Sequence, residues 1–382
     1  MKVLHIASFN GNIDDYANHK ALHTCFKKYV DEDAQFTCVE MREFYSSWGI
    51  RHFDDEFVKL ANSHDLLILG GGNFFDLGWD YSHTGTTIDL SDDIIESLKC
   101  KVLVCAMGFS DRNEVNQKNV CAFNHFLNNI LSRKNWKVSL RNDGSLAKMR
   151  KYVEKSLTEK IIKIPDHGFS YMPERRCPMF EFPTEKTVGI NICADAISSR
   201  FKDKNAAEKF FKQISEVITE FLHQRKDYSV VFFPHIYSDM ECIVNVIKGI
   251  PDTIRRTRLT VAPLVLANNS SVDNVFDLYK RCEFAVSMRF HANVCPISME
   301  VPTIGISTNG QIEDLYEEIG LPERCINAYS GEINESLFKM MSETAENIVL
   351  IKQRYAALNV ALRKQHSEFH ADLKEWLNNL NK

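Results

Sequence analysis

The sequence predicts an α/β protein built from two doubly wound parallel-sheet domains in tandem, with a helical tail. Three observations carry this. Short apolar runs alternate with helical patterns along most of the chain, the signature of strand–helix–strand units. Glycine and polar residues collect just after the strands, where open α/β sheets bind ligands. The periodicity fails clearly once, over residues 171–186, where Pro173, Pro178 and Pro183 surround Glu174-Arg175-Arg176, and it then restarts. The expected division is a Rossmann-like domain over 1–170, a linker over 171–186, a second Rossmann-like domain over 187–340, and helices over 341–382 that pack back on the first domain. A length of 382 residues suits two domains with a core each.

In the first half, Val3–Ala7 reads as a strand that ends in Asn10-Gly11-Asn12-Ile13-Asp14-Asp15, with Asp14 or Asp15 expected to cap the next helix. Phe36–Val39 is the second strand. Leu66–Leu69 is a continuous apolar run, as in a strand covered on both faces. It leads into Gly70-Gly71-Gly72-Asn73-Phe74-Phe75-Asp76, expected as a tight loop in which Gly71, Gly72 and Asn73 admit a ligand to the backbone. Its spacing is neither that of a dinucleotide fingerprint nor that of a Walker loop. Asp76 is a candidate base, hydroxyl-binding group or cap. The aromatic loop with Trp79 and Tyr81 reads equally as a sugar-stacking surface or as a loop packed on itself. Strands follow at 101–105, 136–140 and 161–164, and Arg141 stands at the carboxyl end of one of them.

In the second half, strand 187–192 precedes a polar loop at 195–200. A long amphipathic helix over 205–224 then places Phe210, Ile214, Val217, Ile218 and Phe221 on one face. Strand 228–233 ends at Pro234-His235. A strand is expected at 259–261, and a helix over 271–281 capped by Ser270 or Ser271. The apolar run Phe284–Val286 leads into Ser287-Met288-Arg289-Phe290-His291, and a helix is expected from Ala292 to about Glu300. An arginine and a histidine where a strand becomes a helix suit an anion: the helix start offers N–H groups, the guanidinium grips oxyanions, and the imidazole moves protons. The plain alternative is a salt bridge and a cap.

The composition is that of a soluble globular chain, 44% hydrophobic and 25% charged, with a net charge of −5 that excludes a global basic field for nucleic acid. The eleven cysteines are scattered without a CxxC pair, which argues against a zinc site and for a reducing compartment. The first strand is too short for a signal peptide, and no run reaches the ~20 apolar residues of a membrane span. A cytoplasmic location is expected, with a peripheral place at the inner membrane face as the variant that a lipid-linked substrate would require.

Together these motifs resemble the polysaccharide pyruvyl transferase family, over nearly the whole chain. The residues that carry the resemblance are Asn10–Asp15, Leu69–Asp76, Arg141 followed by Ser145, Phe233-Pro234-His235, and above all Ser287-Met288-Arg289-Phe290-His291 with Val301-Pro302-Thr303-Ile304. The chain departs from the family pattern at Asp14, where glycine is usual, at Phe290, where leucine is usual, and at Gln311, near a position where lysine is common. The resemblance implies a GT-B-like fold whose two domains face a cleft. It implies transfer of the pyruvyl group of phosphoenolpyruvate to a sugar of a surface or capsular polysaccharide precursor, giving a pyruvate ketal. It implies phosphoenolpyruvate as co-substrate without a further cofactor or metal, and a glycan acceptor that is free, nucleotide-linked or lipid-linked. Arg289 and Arg141 would hold the donor, with His235 and Phe290 beside them and Gly71, Gly72 and Asn73 in the glycine loop. His291 would handle the proton and Asp76 would act as base. Two other readings stand beside it: a GT-B glycosyltransferase with a nucleotide-sugar donor, and a non-catalytic sugar- or phosphate-binding protein.

Overall fold

The computed structural model describes residues 1–111, 115–174, 180–193, 203–266, 272–329 and 333–379. The middle of the expected linker, the polar loop at 195–200 and the Ser270 or Ser271 cap lie outside them. The chain forms two compact units. Unit 1 gathers residues 1–9, 18–167 and 362–382, and unit 2 gathers 10–17 and 168–361. Residues 10–17 thus join the second unit, although their neighbours on both sides belong to the first.

Unit 1 is a six-stranded sheet of β1 (Lys2–Ala7), β2 (Gln35–Glu40), β3 (Leu66–Asp76), β4 (Lys101–Ser110), β5 (Trp136–Arg141) and β6 (Ile162–Ile164), in the order β2-β1-β3-β4-β5-β6. All its pairings are parallel. The apolar run Leu66–Leu69 is fully buried, whereas edge strand β2 is partly exposed along its first four residues. The chain passes from β1 to β2 on one side and to β3 on the other, so the topology reverses between β1 and β3. One face of the sheet packs Val3, Leu66, Ile68 and Leu103 against Leu22 and Phe26, with Phe369, Leu373 and Leu377 of the terminal helix Ile348–Asn379.

The glycine triplet is not the loop expected of it. β3 continues through it to Asp76 and pairs with β4 as far as Asp76↔Ser110, with a register shift between Gly72 and Phe75. Gly70 and Gly71 take φ values of +110° and +75°, which side chains resist. A Cβ on Gly70 would lie 2.7 Å from Met107 Cε and 3.0 Å from the Cys105 carbonyl. The triplet therefore lets two strands bulge together rather than ending one. β4 extends to Ser110 for the same reason, with Ala106 at φ +45°.

Unit 2 is a second parallel sheet, of β7 (Lys186–Asn191), β8 (Tyr228–Phe232), β9 (Leu259–Val261), β10 (Phe284–Ser287), β11 (Thr303–Ser307) and β12 (Cys325–Asn327), in the order β12-β11-β10-β7-β8-β9. Here the order reverses between β7 and β10. The helix Lys204–Gln224 starts where the Asp203 side chain accepts the Ala206 N–H, and it buries Phe210, Ile214, Val217, Ile218 and Phe221 as its periodicity predicts. The tail is two helices, Ile333–Glu346 and Ile348–Asn379. Among the described residues, no helix is long and apolar enough to cross a membrane.

Candidate functional site

In doubly wound sheets, ligands bind outside the carboxyl ends of the strands where the topology reverses. In unit 2 those ends are Asn191 of β7 and Ser287 of β10, and Arg289 comes two residues after Ser287. Two asparagines fix its backbone. Asn191 accepts the Arg289 N–H on Oδ1 at 3.0 Å and donates from Nδ2 to the Phe233 carbonyl at 2.8 Å. Asn293 donates to the carbonyls of Ser287 and Arg289 at 3.1 and 2.7 Å, and its own Oδ1 accepts the Tyr316 hydroxyl at 2.9 Å. Arg289 stands at the residue before the helix Phe290–Ser298, with no capping bond from its side chain, and the helix starts two residues before the expected Ala292. Phe290 and His291 are consequently in its first turn, near the positive end of the helix dipole. His291 is buried, and the Phe290 ring meets it edge-on at 5.1 Å.

The Arg289 guanidinium is gripped at two points by Asp239, Nε to Oδ2 at 2.8 Å and Nη2 to Oδ1 at 2.6 Å. The same Asp239 Oδ2 accepts the backbone N–H of His235 at 2.8 Å and of Ile236 at 3.2 Å. One carboxylate thus ties the end of β8, the start of helix Tyr237–Lys248 and the arginine together. A second carboxylate, Asp14, lies 3.9 Å from Arg289 Nη1. Burial pushes the Asp14 pKa up, but His235, Arg289 and His291 outweigh it and hold the group down at about 2, so Asp14 is ionised. Asn12, not Asp14, accepts a backbone N–H at the start of the helix Ile13–Tyr29, since its Oδ1 takes the Asp14 N–H at 3.0 Å.

His235 is fully buried and both its ring nitrogens are engaged, Nδ1 with Asp14 Oδ1 at 2.6 Å and Nε2 with the Tyr279 hydroxyl at 3.0 Å. Its geometry makes it the partner that orients Asp14. Arg289, Phe290, His291 and His235 are therefore gathered in unit 2. Asp239 escaped the sequence reading. The signal was present, as an acidic residue in the first turn after Pro234-His235, but many helices carry one there. Asp14 carries two local signals, a possible cap and a departure from the family's glycine, and neither shows that it reaches His235, 221 positions away.

The other candidates belong to unit 1. Arg141 is buried and donates from Nε to Asp143 Oδ2 at 2.7 Å, with Asp166 Oδ2 at 3.7 Å from Nη1. Gly108 leaves room beside it, for a Cβ there would sit 2.6 Å from Asn73 Oδ1 and 2.8 Å from Arg141 Nη2. Asn73 and Arg141 are thus brought together over β4. Gly71 packs on Asn18 and His19, each 3.0 Å from where its Cβ would be, and Gly72 is buried. Asp76, half-buried at the end of β3, accepts the Gly78 N–H at 3.3 Å. Gln311 opens the helix Gln311–Glu318 in unit 2, its N–H donating to Asn309 Oδ1 at 3.3 Å. Among the described residues, no group of three or more His, Cys, Asp or Glu side chains could hold a metal ion.

Comparisons with known proteins follow this geometry. The family model described as polysaccharide pyruvyl transferase matches residues 15–310. No curated protein matches the sequence significantly. Among solved structures, MnaA of S. aureus with UDP is similar at 11% identity and a TM-score of 0.56, covering 100% of this chain and 98% of that one. UDP-GlcNAc 2-epimerase from Methanocaldococcus jannaschii is similar at 13% identity and a TM-score of 0.52, covering 90% of this chain and 92% of that one. At such identities the likeness speaks for the fold alone: a GT-B-like pairing of Rossmann-like units.

Proposed function

The chain belongs to the polysaccharide pyruvyl transferase family, and on that premise we propose that this transferase moves the pyruvyl group of phosphoenolpyruvate onto a sugar of a surface or capsular polysaccharide precursor. The observation that supports this most is Arg289 at the strand reversal of unit 2, with His291 in the following helix turn. A three-carbon donor carrying a phosphate and a carboxylate needs preorganised cationic donors, and Arg289 is held rigid by Asp239 and two asparagines. The donor shares Arg289 with Asp239 and Asp14.

In the proposed sequence His291 delivers its proton to the methylene carbon of phosphoenolpyruvate, leaving the neighbouring carbon electrophilic. An acceptor hydroxyl adds there and gives up its proton, with Asp76 as the proposed base. The C–O bond to phosphate breaks, inorganic phosphate leaves, and a second hydroxyl of the same sugar closes the cyclic ketal, its proton returning to His291. Phe290 keeps its proposed place beside the donor, Arg141 its place as a second clamp, and Gly71, Gly72 and Asn73 theirs in the glycine-rich stretch. His235 is assigned a positioning role through Asp14.

The test is mass spectrometry of glycan acceptors incubated with phosphoenolpyruvate, alongside a phosphate-release assay. Acceptors should gain the mass of one pyruvate ketal, with stoichiometric phosphate. His291→Ala should slow phosphate release by about 10²–10⁴, and Arg289→Ala should abolish it, both with unchanged circular dichroism. Turnover driven by a nucleotide sugar and indifferent to phosphoenolpyruvate would replace this reading with a glycosyltransferase.

A further inference from the structure

Two loops at the carboxyl ends of β2 and β3 meet through aromatic rings. After β2, the 3-10 turn Met41–Phe44 runs into a tight turn in which Trp48 and Gly49 donate N–H groups to the Tyr45 carbonyl at 3.0 and 3.1 Å. After β3 come Trp79 and Tyr81. The Tyr45 and Trp79 rings lie 5.2 Å apart at 50°, and the Trp79 and Tyr81 rings 5.6 Å apart at 81°. Tyr45 and Trp79 are half-buried, while Trp48 and Tyr81 remain 50% and 48% exposed. Tyr45, Trp79 and Tyr81 form one contiguous aromatic group with Tyr81 half in water, after a strand that borders the reversal, and such a group marks a ligand surface more than a packing accident.

The surface is braced. Asp80 Oδ1 accepts Asn119 Nδ2 at 2.8 Å, the Asp80 carbonyl accepts Lys118 Nζ at 2.9 Å, and Thr87 Oγ1 donates to the Phe74 carbonyl at 2.8 Å. Its chemistry is mixed, since carboxylates of Asp76 and Asp80 flank Trp79 in the chain. Aromatic faces cover the C–H faces of a pyranose, and carboxylates accept its hydroxyls. A lipid would call for an aliphatic lining, and a nucleic acid would be repelled by the carboxylates.

We infer that the Tyr45–Trp79–Tyr81 surface of unit 1 binds a saccharide, with a pyranose ring stacked on the indole and phenol faces and Asp76 accepting a sugar hydroxyl. That this saccharide is the acceptor rests on the pyruvyl-transfer reading; that the surface takes a saccharide does not.

The full chain, without phosphoenolpyruvate, is titrated by tryptophan fluorescence and on an array of neutral oligosaccharides ending in glucose, galactose, mannose or N-acetylglucosamine. At least one class should bind, and Trp79→Ala should weaken it about tenfold or more. Tyr81→Ala, at a half-exposed position, should do the same in part and guards against misfolding of the first variant. In turnover, Trp79→Ala should raise KM for the glycan and leave KM for phosphoenolpyruvate unchanged. Absence of binding by the unmodified chain, or wild-type binding by both variants, overturns the inference. Binding that depends on Trp79 without any ketal product would defeat the pyruvyl-transfer reading and leave the saccharide surface standing. Ketal formation with an unaltered glycan KM in both variants would do the reverse.

Discussion

At the scale of single residues, the centre of unit 2 is a buried charge cluster in which Arg289 is already paired with Asp239. Arg289 is only 7% exposed and Asp239 is fully buried. A pair so far from water is stable only because its geometry is complete and Asp239 also satisfies two backbone N–H groups. Asp239→Ala leaves the guanidinium and those N–H groups short of a partner. It should cost about 3–5 kcal/mol in urea unfolding, while Asp239→Asn, which keeps an acceptor, should cost less. The double variant Asp239→Ala/Arg289→Ala should lose less than the sum of the singles, because the orphaned charge is gone. Additive losses would show that the pair is not coupled.

At the scale of elements, unit 1 contains a group of buried histidines, with the half-buried His23 beside them, drawn from separate parts of the chain. His5 on β1 donates from Nε2 to the Gly70 carbonyl at 2.8 Å and meets His23 Nε2 through Nδ1 at 2.9 Å. His366 and His370 on the terminal helix bond to the carbonyls of Pro165 and His366, and the His167 ring stacks on His366 at 4.9 Å. Burial, only partly offset by backbone hydrogen bonds, lowers His5 and His370 to about 4. Burial, with His5 and Lys27 beside it, lowers His23 to about 2. The unfolded chain binds these protons near pH 6.5 and the folded chain does not, so the unfolded state holds more protons below that pH. Stability should therefore fall as pH drops from about 6.5 toward 4, by about 2 kcal/mol per such histidine at pH 5. Urea midpoints at pH 7, 6 and 5 check this, and a constant midpoint would contradict the neutral burial of the cluster.

At the scale of the whole molecule, the two units are assembled from segments that cross in sequence. Residues 10–17 join unit 2, and residues 362–382 join unit 1. The terminal helix is a core component of unit 1, since Leu373 is fully buried among Val3, Leu66 and Leu103. Leu373→Ala should destabilise by about 2–5 kcal/mol. The loss should appear as faster hydrogen exchange in β1, β3 and β4 with β7, β8 and β10 unchanged. Equal loss in both sheets would mean that the units unfold as one.

Local chemistry alone determined the α/β class, the alternation of strands and helices, and the place of Arg289 and His291 at a strand-to-helix junction. Strand burial and helix amphipathicity are written in nearest-neighbour periodicity, so Leu66–Leu69 and the helix Lys204–Gln224 were legible residue by residue. What the glycines of Gly70–Gly72 do was not legible, because a loop and a bulged strand require the same left-handed backbone and only the pairing partner β4 tells them apart. The joining of Asp14 to His235, of Asp239 to Arg289, and of His5 to His23 was decided by tertiary structure. Such contacts depend on which strand ends the topology brings side by side, and sequence separation carries no record of that.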